Sequence, residues 1–165
     1  MTTETADNLV VGLGQLHVRK APGVLVCLGL GSCIALSAYD SESKVGGMAH
    51  IVLPDGNGRT DQDSPKYASS AVPLLLDEMD RLGANMSRLL IRMSGGARMA
   101  GTGSLGAVFK IGESNIEATR KALAESGIVR VAGTDIGGSH GRTVRLSLAT
   151  GKLTITASNR EPIEI

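Results

Sequence analysis

The chain has 165 residues, with 17 Lys+Arg against 16 Asp+Glu, so its formal net charge of +1 provides no broad electrostatic pull toward nucleic acid or anionic lipid. Hydrophobic residues make up 42% and aromatics only 2% (Phe109, Tyr39 and Tyr67, with no Trp), which excludes a disordered tail and leaves hardly a ring for a base-stacking platform. The 22 glycines follow no G-x-y period, so collagen and coiled coil are excluded and frequent tight turns are expected.

Residues 1–7 are polar and read as a flexible N-terminus, and 8–165 read as one domain. Apolar residues alternate from Leu9 to Val18, the pattern of a strand. After the turn signal Pro22-Gly23, the stretches Val24–Leu28 and Ile34–Tyr39 read as buried strands joined by Gly29-Leu-Gly-Ser-Cys33, and Val45–Leu53 as a further strand. Ser64 and Pro65 suit the start of a helix running to Leu82, with a kink or fresh start near Ser70 because Pro73 lacks a donor. Leu89–Met93 reads as a strand, Gly95–Gly106 as a glycine-rich loop and Ala107–Ile111 as another strand. A second helix is expected from Ser114, with Glu117 completing a capping box, to Gly127. Ile128–Gly133, Thr143–Leu148 and Leu153–Ala157 read as strands, the last two joined through Thr150-Gly151. The pattern predicts a single α+β domain, a mixed β-sheet core with two main helices packed outside.

Arg19 and Lys20 before the apolar run Val24–Ala38 imitate a signal peptide. Glu4 and Asp7 in the would-be leader, and Gly29, Gly31 and Ser32 within the run, argue against it, and the run is too interrupted to span a bilayer. The reading is cytoplasmic, with no membrane insertion and no nucleic-acid partner.

Cys27 and Cys33 are too few for a disulfide framework, their C-x5-C spacing fits neither a zinc knuckle nor a redox pair, and no metal or cofactor is expected. Gly101-Thr-Gly-Ser-Leu-Gly106 matches the dinucleotide fingerprint by letters, but that fingerprint needs a helix opening at the loop, and a strand is expected there. Gly137-Gly-Ser-His-Gly-Arg142 reads as a turn in which Arg142 pairs with a carboxylate, in preference to an anion nest. His17 and His140 read as surface histidines.

Gly29-Leu-Gly-Ser-Cys33 is more informative. A thiol at the end of a tight glycine-rich turn has backbone N–H groups around it, which can depress its pKa and hold an oxyanion. An antiparallel pairing of strands 34–39 and 45–53 brings His50 near Cys33, the minimum for thiol catalysis. Spacing alone leaves this open beside a small buried cysteine and a satisfied core histidine.

The strings Leu28-Gly-Leu-Gly-Ser-Cys33 and Gly46-Gly-Met-Ala-His50-Ile-Val-Leu-Pro54 resemble the CheD family of chemoreceptor glutamine deamidases. The likeness continues through Lys66-Tyr67, Met93-Ser-Gly-Gly-Ala97, Ile111-Gly-Glu-Ser-Asn115-Ile116 and Gly137-Gly-x-x-Gly-Arg142, in order from about Leu9 to Ala157. The resemblance implies a layered α/β/α fold, a Cys33 nucleophile with His50 as its partner, chemoreceptor cytoplasmic helices as substrate, and a CheC-type chemotaxis phosphatase as a further partner. Where the family usually has a threonine as third triad member, this sequence has Cys27, a weaker hydrogen-bonding group, and a backbone carbonyl could orient His50 instead. The alternatives are a binding module of the chemotaxis array whose thiol site has weakened, or an unrelated cytosolic thiol amidase.

Overall fold

The structure is a computed structural model describing residues 7–99 and 105–165, with side chains for 7–99 and 110–165. Two mixed five-stranded sheets and two helices form an α+β domain, as expected. The first sheet orders β1 (Asn8–Val10), β3 (Val24–Leu30), β8 (Arg142–Ser147), β9 (Leu153–Thr156) and β10 (Ile163–Glu164). The second orders β2 (Leu16–Lys20), β5 (Val45–Ile51), β4 (Ile34–Asp40), β6 (Leu90–Gly95) and β7 (Gly133–Ile136). Helices α1 (Ala68–Arg81) and α2 (Leu105–Glu125) complete the fold.

Every residue of β4 and β5 is buried, because both faces of these strands are covered. Ile34, Leu36, Ala49 and Ile51 point into a core shared with Val72, Leu75 and Met79 of α1 and Ile116 and Leu123 of α2. Their neighbours Ala35 and Met48 point the other way, into a second core with Leu25, Cys27, Val144, Leu146 and Ile155 of the first sheet. The layers therefore run sheet, sheet, helices, whereas the resemblance implied α/β/α: both helices share one face of the second sheet, and the first sheet covers its other face. The Gly46-Gly47 pair serves both contacts. A Cβ on Gly46 would stand 2.5 Å from Leu148 Cδ2, and one on Gly47 would stand 2.7 Å from Leu75 Cδ1.

Several elements differ from the sequence pattern. The expected strand Leu9–Val18 is two strands in different sheets, β1 and β2, because the chain turns at Gly12–Gln15, where Gly14 takes a φ of +69° and Gln15 Oε1 accepts from Gly12 N–H at 2.8 Å. Helix α1 starts at Ala68 and not at Ser64, because Leu53 bridges Tyr67 and holds the preceding segment against β5. Pro73 lies inside α1 without dividing it. Helix α2 begins at Leu105, so Ala107–Ile111 is helical and the expected capping box of Ser114 and Glu117 lies within the helix. The strand expected over Ile128–Gly133 forms later, as β7, in parallel with β6. Of the N-terminal segment, 1–6 lies outside the described residues, and Asp7 pairs with Arg19 at 3.3 Å.

Asp40, at the far end of β4, is fully buried and accepts from Arg88 Nε and Nη2 (3.0 and 2.9 Å), Asn85 N–H and Ser43 Oγ (both 2.9 Å). The Arg88 hydrogen bonds, helped by these donors, hold its carboxyl well below the usual carboxylate range against the opposing effect of burial. A depressed folded pKa contributes stability that is complete above the unfolded value of ~3.9 and is lost as pH falls below it. Asp40→Asn is expected to lower the melting temperature at pH 7 and to flatten its decline below pH ~4. An unchanged acid limb in thermal melts of that variant would assign the acid sensitivity to other carboxylates.

Candidate active site

Cys33 ends the segment Gly31–Cys33 that carries the chain from the first sheet to the second. All three carbonyls of that segment are tied down: Gly31 O by Ala97 N–H, Ser32 O by Asn115 Nδ2 and Cys33 O by Gly96 N–H, each at 2.9 Å. The three N–H groups of the same residues have no partner among the described residues. The backing comes from the Gly95-Gly96 turn after β6. Gly95 has a φ of +112°, and a Cβ there would fall 2.1 Å from Cys33 O, so a larger residue would displace the cysteine's own peptide.

The register of β4 against β5 sets Ile34 opposite Ile51 and Ala35 opposite His50. Cys33 is thus the diagonal neighbour of His50, a separation of ~7–8 Å in a regular sheet and within reach of an imidazole. His50 is 3% exposed. Its Nδ1 lies 3.0 Å from Val11 O. A carbonyl can only accept, so Nδ1 carries the hydrogen and Nε2 is the basic nitrogen. Nε2 is buried without a hydrogen-bond partner among the described residues.

Cys27, on β3 and fully buried, donates from Sγ to the same Val11 O at 3.7 Å. The structure therefore brings Cys27 and His50 onto one carbonyl, with Cys33 at the adjacent strand start. Both cysteines are free thiols, Cys33 half-buried. The sequence offered no signal for Val11, since a backbone carbonyl carries no residue signature. Asn115 stood in one of the quoted strings without a role.

Burial lowers the His50 pKa, with the Val11 hydrogen bond opposing. Burial raises the Cys33 thiol, and burial together with the neighbouring Cys33 pushes Cys27 up to about 12. The depression of the Cys33 pKa that the turn could supply is therefore not found: desolvation raises it. The resting pair is a neutral thiol beside a neutral imidazole. Such a pair can carry out nucleophilic attack with proton transfer to Nε2 as a substrate carbonyl approaches.

The rest of the sequence motifs lie outside this arrangement. Arg142 donates to Asp135 Oδ2 (2.9 Å), Gly137 O (2.7 Å) and Gly95 O (3.4 Å), so it is a turn clamp paired with a carboxylate, as read from the sequence, and not an anion receptor. His140 lines a cleft of about 530 Å³ with Gly29, Thr143 and Thr156, whose lining does not include Cys33, and His17 lies on β2. A helix does open beside the Gly101–Gly106 string, contrary to the strand expected there, but β6 ends at Gly95, well before the first glycine, and residues 101–104 lie outside the described residues. Nine residues thus separate the end of the strand from the start of the helix, a longer connection than the tight turn of a dinucleotide site. No group of three or more His, Cys, Asp or Glu that could hold a metal occurs among the described residues. Exposed Met99 lies over Gly31 of the nucleophile segment.

The family model described as CheD chemotactic sensory transduction matches residues 52–157, over half of the chain and starting just after His50. Curated relatives extend the likeness across the site. The chemoreceptor glutamine deamidase CheD of Thermotoga maritima is 43% identical over 146 residues, 88% of this chain and 89% of its own length. The probable chemoreceptor glutamine deamidase CheD of Desulfitobacterium hafniense is 42% identical over 154 residues, 93% of this chain and 96% of its own. Its counterpart in Methanococcus maripaludis is 40% identical over 147 residues, 89% and 93%. With similarity of this extent running through both sheets and both helices, the chain belongs to the CheD family.

Proposed function

We propose that this protein deamidates glutamine side chains of chemoreceptors to glutamate, with Cys33 as nucleophile and His50 as general base and acid. The observation that carries the reading is the free Cys33 thiol at the end of a segment whose three N–H groups have no partner among the described residues, beside an imidazole nitrogen that likewise has none there. His50 Nε2 takes the Cys33 proton as Sγ bonds to the glutamine carboxamide carbon. The N–H groups of the segment stabilise the tetrahedral oxyanion, typically worth 10²–10³ in rate per donor. Collapse breaks the C–N bond, and His50 returns its proton to the leaving ammonia, leaving a thioester. Water, deprotonated by His50, then attacks the thioester. The carboxylate leaves as glutamate, and the thiol is restored.

A glutamyl methyl ester would pass through the same thioester with methanol as leaving group, so ester cleavage belongs to the same site. The exposed Met99 over Gly31, in the segment that ends at the thiol, suits a protein substrate, whose helices would cover it. No helix among the described residues is long and apolar enough to cross a membrane. The reading places the enzyme in the cytoplasm, where receptor signalling helices and a CheC-type phosphatase would compete for this surface.

A weakened, non-catalytic module is the alternative suggested by Cys27. Against it, Val11 O already holds Nδ1 of His50, so the base is oriented without a hydroxyl at position 27. Cys27→Thr and Cys27→Ser are therefore expected to leave the deamidation rate within threefold of wild type when compared at equal folded fraction. The buried polar oxygen costs ~1–3 kcal/mol of stability. A tenfold loss in both folded variants would give Cys27 a role of its own. The function itself is tested by incubating a receptor cytoplasmic fragment with the protein and reading glutamine-to-glutamate mass gains by peptide mass spectrometry. Absence of any site-specific gain, with the thiol intact, would sink the reading.

A further inference from the structure

Asn115 is fully buried on α2, and its Nδ2 donates one hydrogen to Ser32 O and the other to Val52 O, both at 2.9 Å. Two carbonyl acceptors at that distance can only face the NH2 group, so the amide's orientation follows from its partners. Oδ1 is buried without a partner among the described residues, an unfavourable feature for a group serving stability alone. The helix is brought close enough for this short side chain by Gly112, one turn earlier. A Cβ there would stand 2.5 Å from Ala97 O and 2.6 Å from Gly96 O, the turn that holds Cys33 O and Gly31 O.

Ser32 O and the N–H of Cys33 belong to one planar trans peptide and point in opposite directions. Fixing the carbonyl therefore aims the N–H. The second bond, to Val52 O, ties the same amide to the end of the strand that carries His50. We propose that Asn115 is a positioning residue: by holding the Ser32–Cys33 peptide, it aims the Cys33 N–H at the oxyanion. No other side chain takes this place easily. A carboxylate would repel both carbonyls, and a hydroxyl has one hydrogen where two are needed.

The proposal rests on Cys33 being the nucleophile of the reading above, and its test separates the two. Asn115→Asp keeps the volume and removes the donors. In that variant, acylation of Cys33 by p-nitrophenyl acetate, which forms an oxyanion, is expected to slow at least fivefold. Alkylation of Cys33 by iodoacetamide at the same pH forms no oxyanion and should stay within twofold. With a receptor fragment, kcat should fall by the same factor as acylation while KM changes less than twofold. Acylation within fivefold of wild type, or equal slowing of acylation and alkylation, would overturn the role. Asn115→Ala is run in parallel, and failure of both variants to fold would assign Asn115 to the core and equally overturn it. If the wild type does not deamidate receptors yet the acylation difference persists, the functional reading fails and the positioning role stands.

Discussion

Replacing Cys33 by alanine is expected to reduce deamidation by 10³-fold or more while the melting temperature stays close to that of the wild type. The large loss follows from chemistry: without a sulfur nucleophile no thioester forms, and members of one nucleophile–base unit typically carry losses of this order or greater. The small structural effect follows from position. Cys33 is half-buried, its carbonyl is held by Gly96 N–H, and the neighbouring carbonyls are held by Ala97 and Asn115. None of these bonds uses Sγ, so alanine keeps the segment's path and costs less than about 1 kcal/mol. Residual activity above a tenth of wild type, a barrier change of only ~1.4 kcal/mol, would point to another nucleophile. Cys27 is then the residue to examine, and a Cys27→Ala control decides it. Cys27 is fully buried with its thiol pushed up to about 12, so it should contribute nothing to turnover as a nucleophile.

The parts legible in the sequence are those where one residue type admits few environments. The strands β3, β4 and β5 could be read almost to their ends because apolar runs were bounded by Gly31-Ser32 and by the polar Ser41–Lys44 turn. That antiparallel pairing was enough to bring His50 toward Cys33, and the Ala35–His50 register confirms the pairing. The start of α2 was not legible. Val108, Phe109 and Ile111 have strand propensity, and Ser114 with Glu117 mimics a cap, so local preference favoured a strand and a later helix. Tertiary packing decides otherwise, since Gly112 must pack on Gly96 and Ala97. The division into two sheets was hidden for a related reason. A strand buried on both faces carries no alternation, so β4 cannot reveal that it separates two cores. At the site, side-chain identities were readable and backbone partners were not: Val11 O, the Gly96 N–H and the directions of the Gly31–Cys33 N–H groups depend on how distant segments meet.

His50→Ala is expected to be nearly as damaging as loss of the thiol, and the pH profile of the wild type should show why. Burial lowers the imidazole pKa and raises that of Cys33, so the neutral pair is the form that reacts. The acid limb of kcat/KM then reports protonation of His50 in the free enzyme and should have its midpoint below the free-imidazole value of ~6.5. Activity should hold through neutral pH without the alkaline rise of an unassisted thiol. In His50→Ala that acid limb disappears and any residual rate climbs with pH, because hydroxide must now form the thiolate. His50→Gln keeps a donor for Val11 O but has no titrating nitrogen, so it should retain more stability than alanine while showing the same kinetic defect. In combination with Cys33→Ala, neither variant should lower the rate further, since nucleophile and base fail as a unit. An acid limb that persists without His50, or losses that multiply in the double mutant, would mean that the base lies elsewhere and that His50 serves only to pack the two sheets.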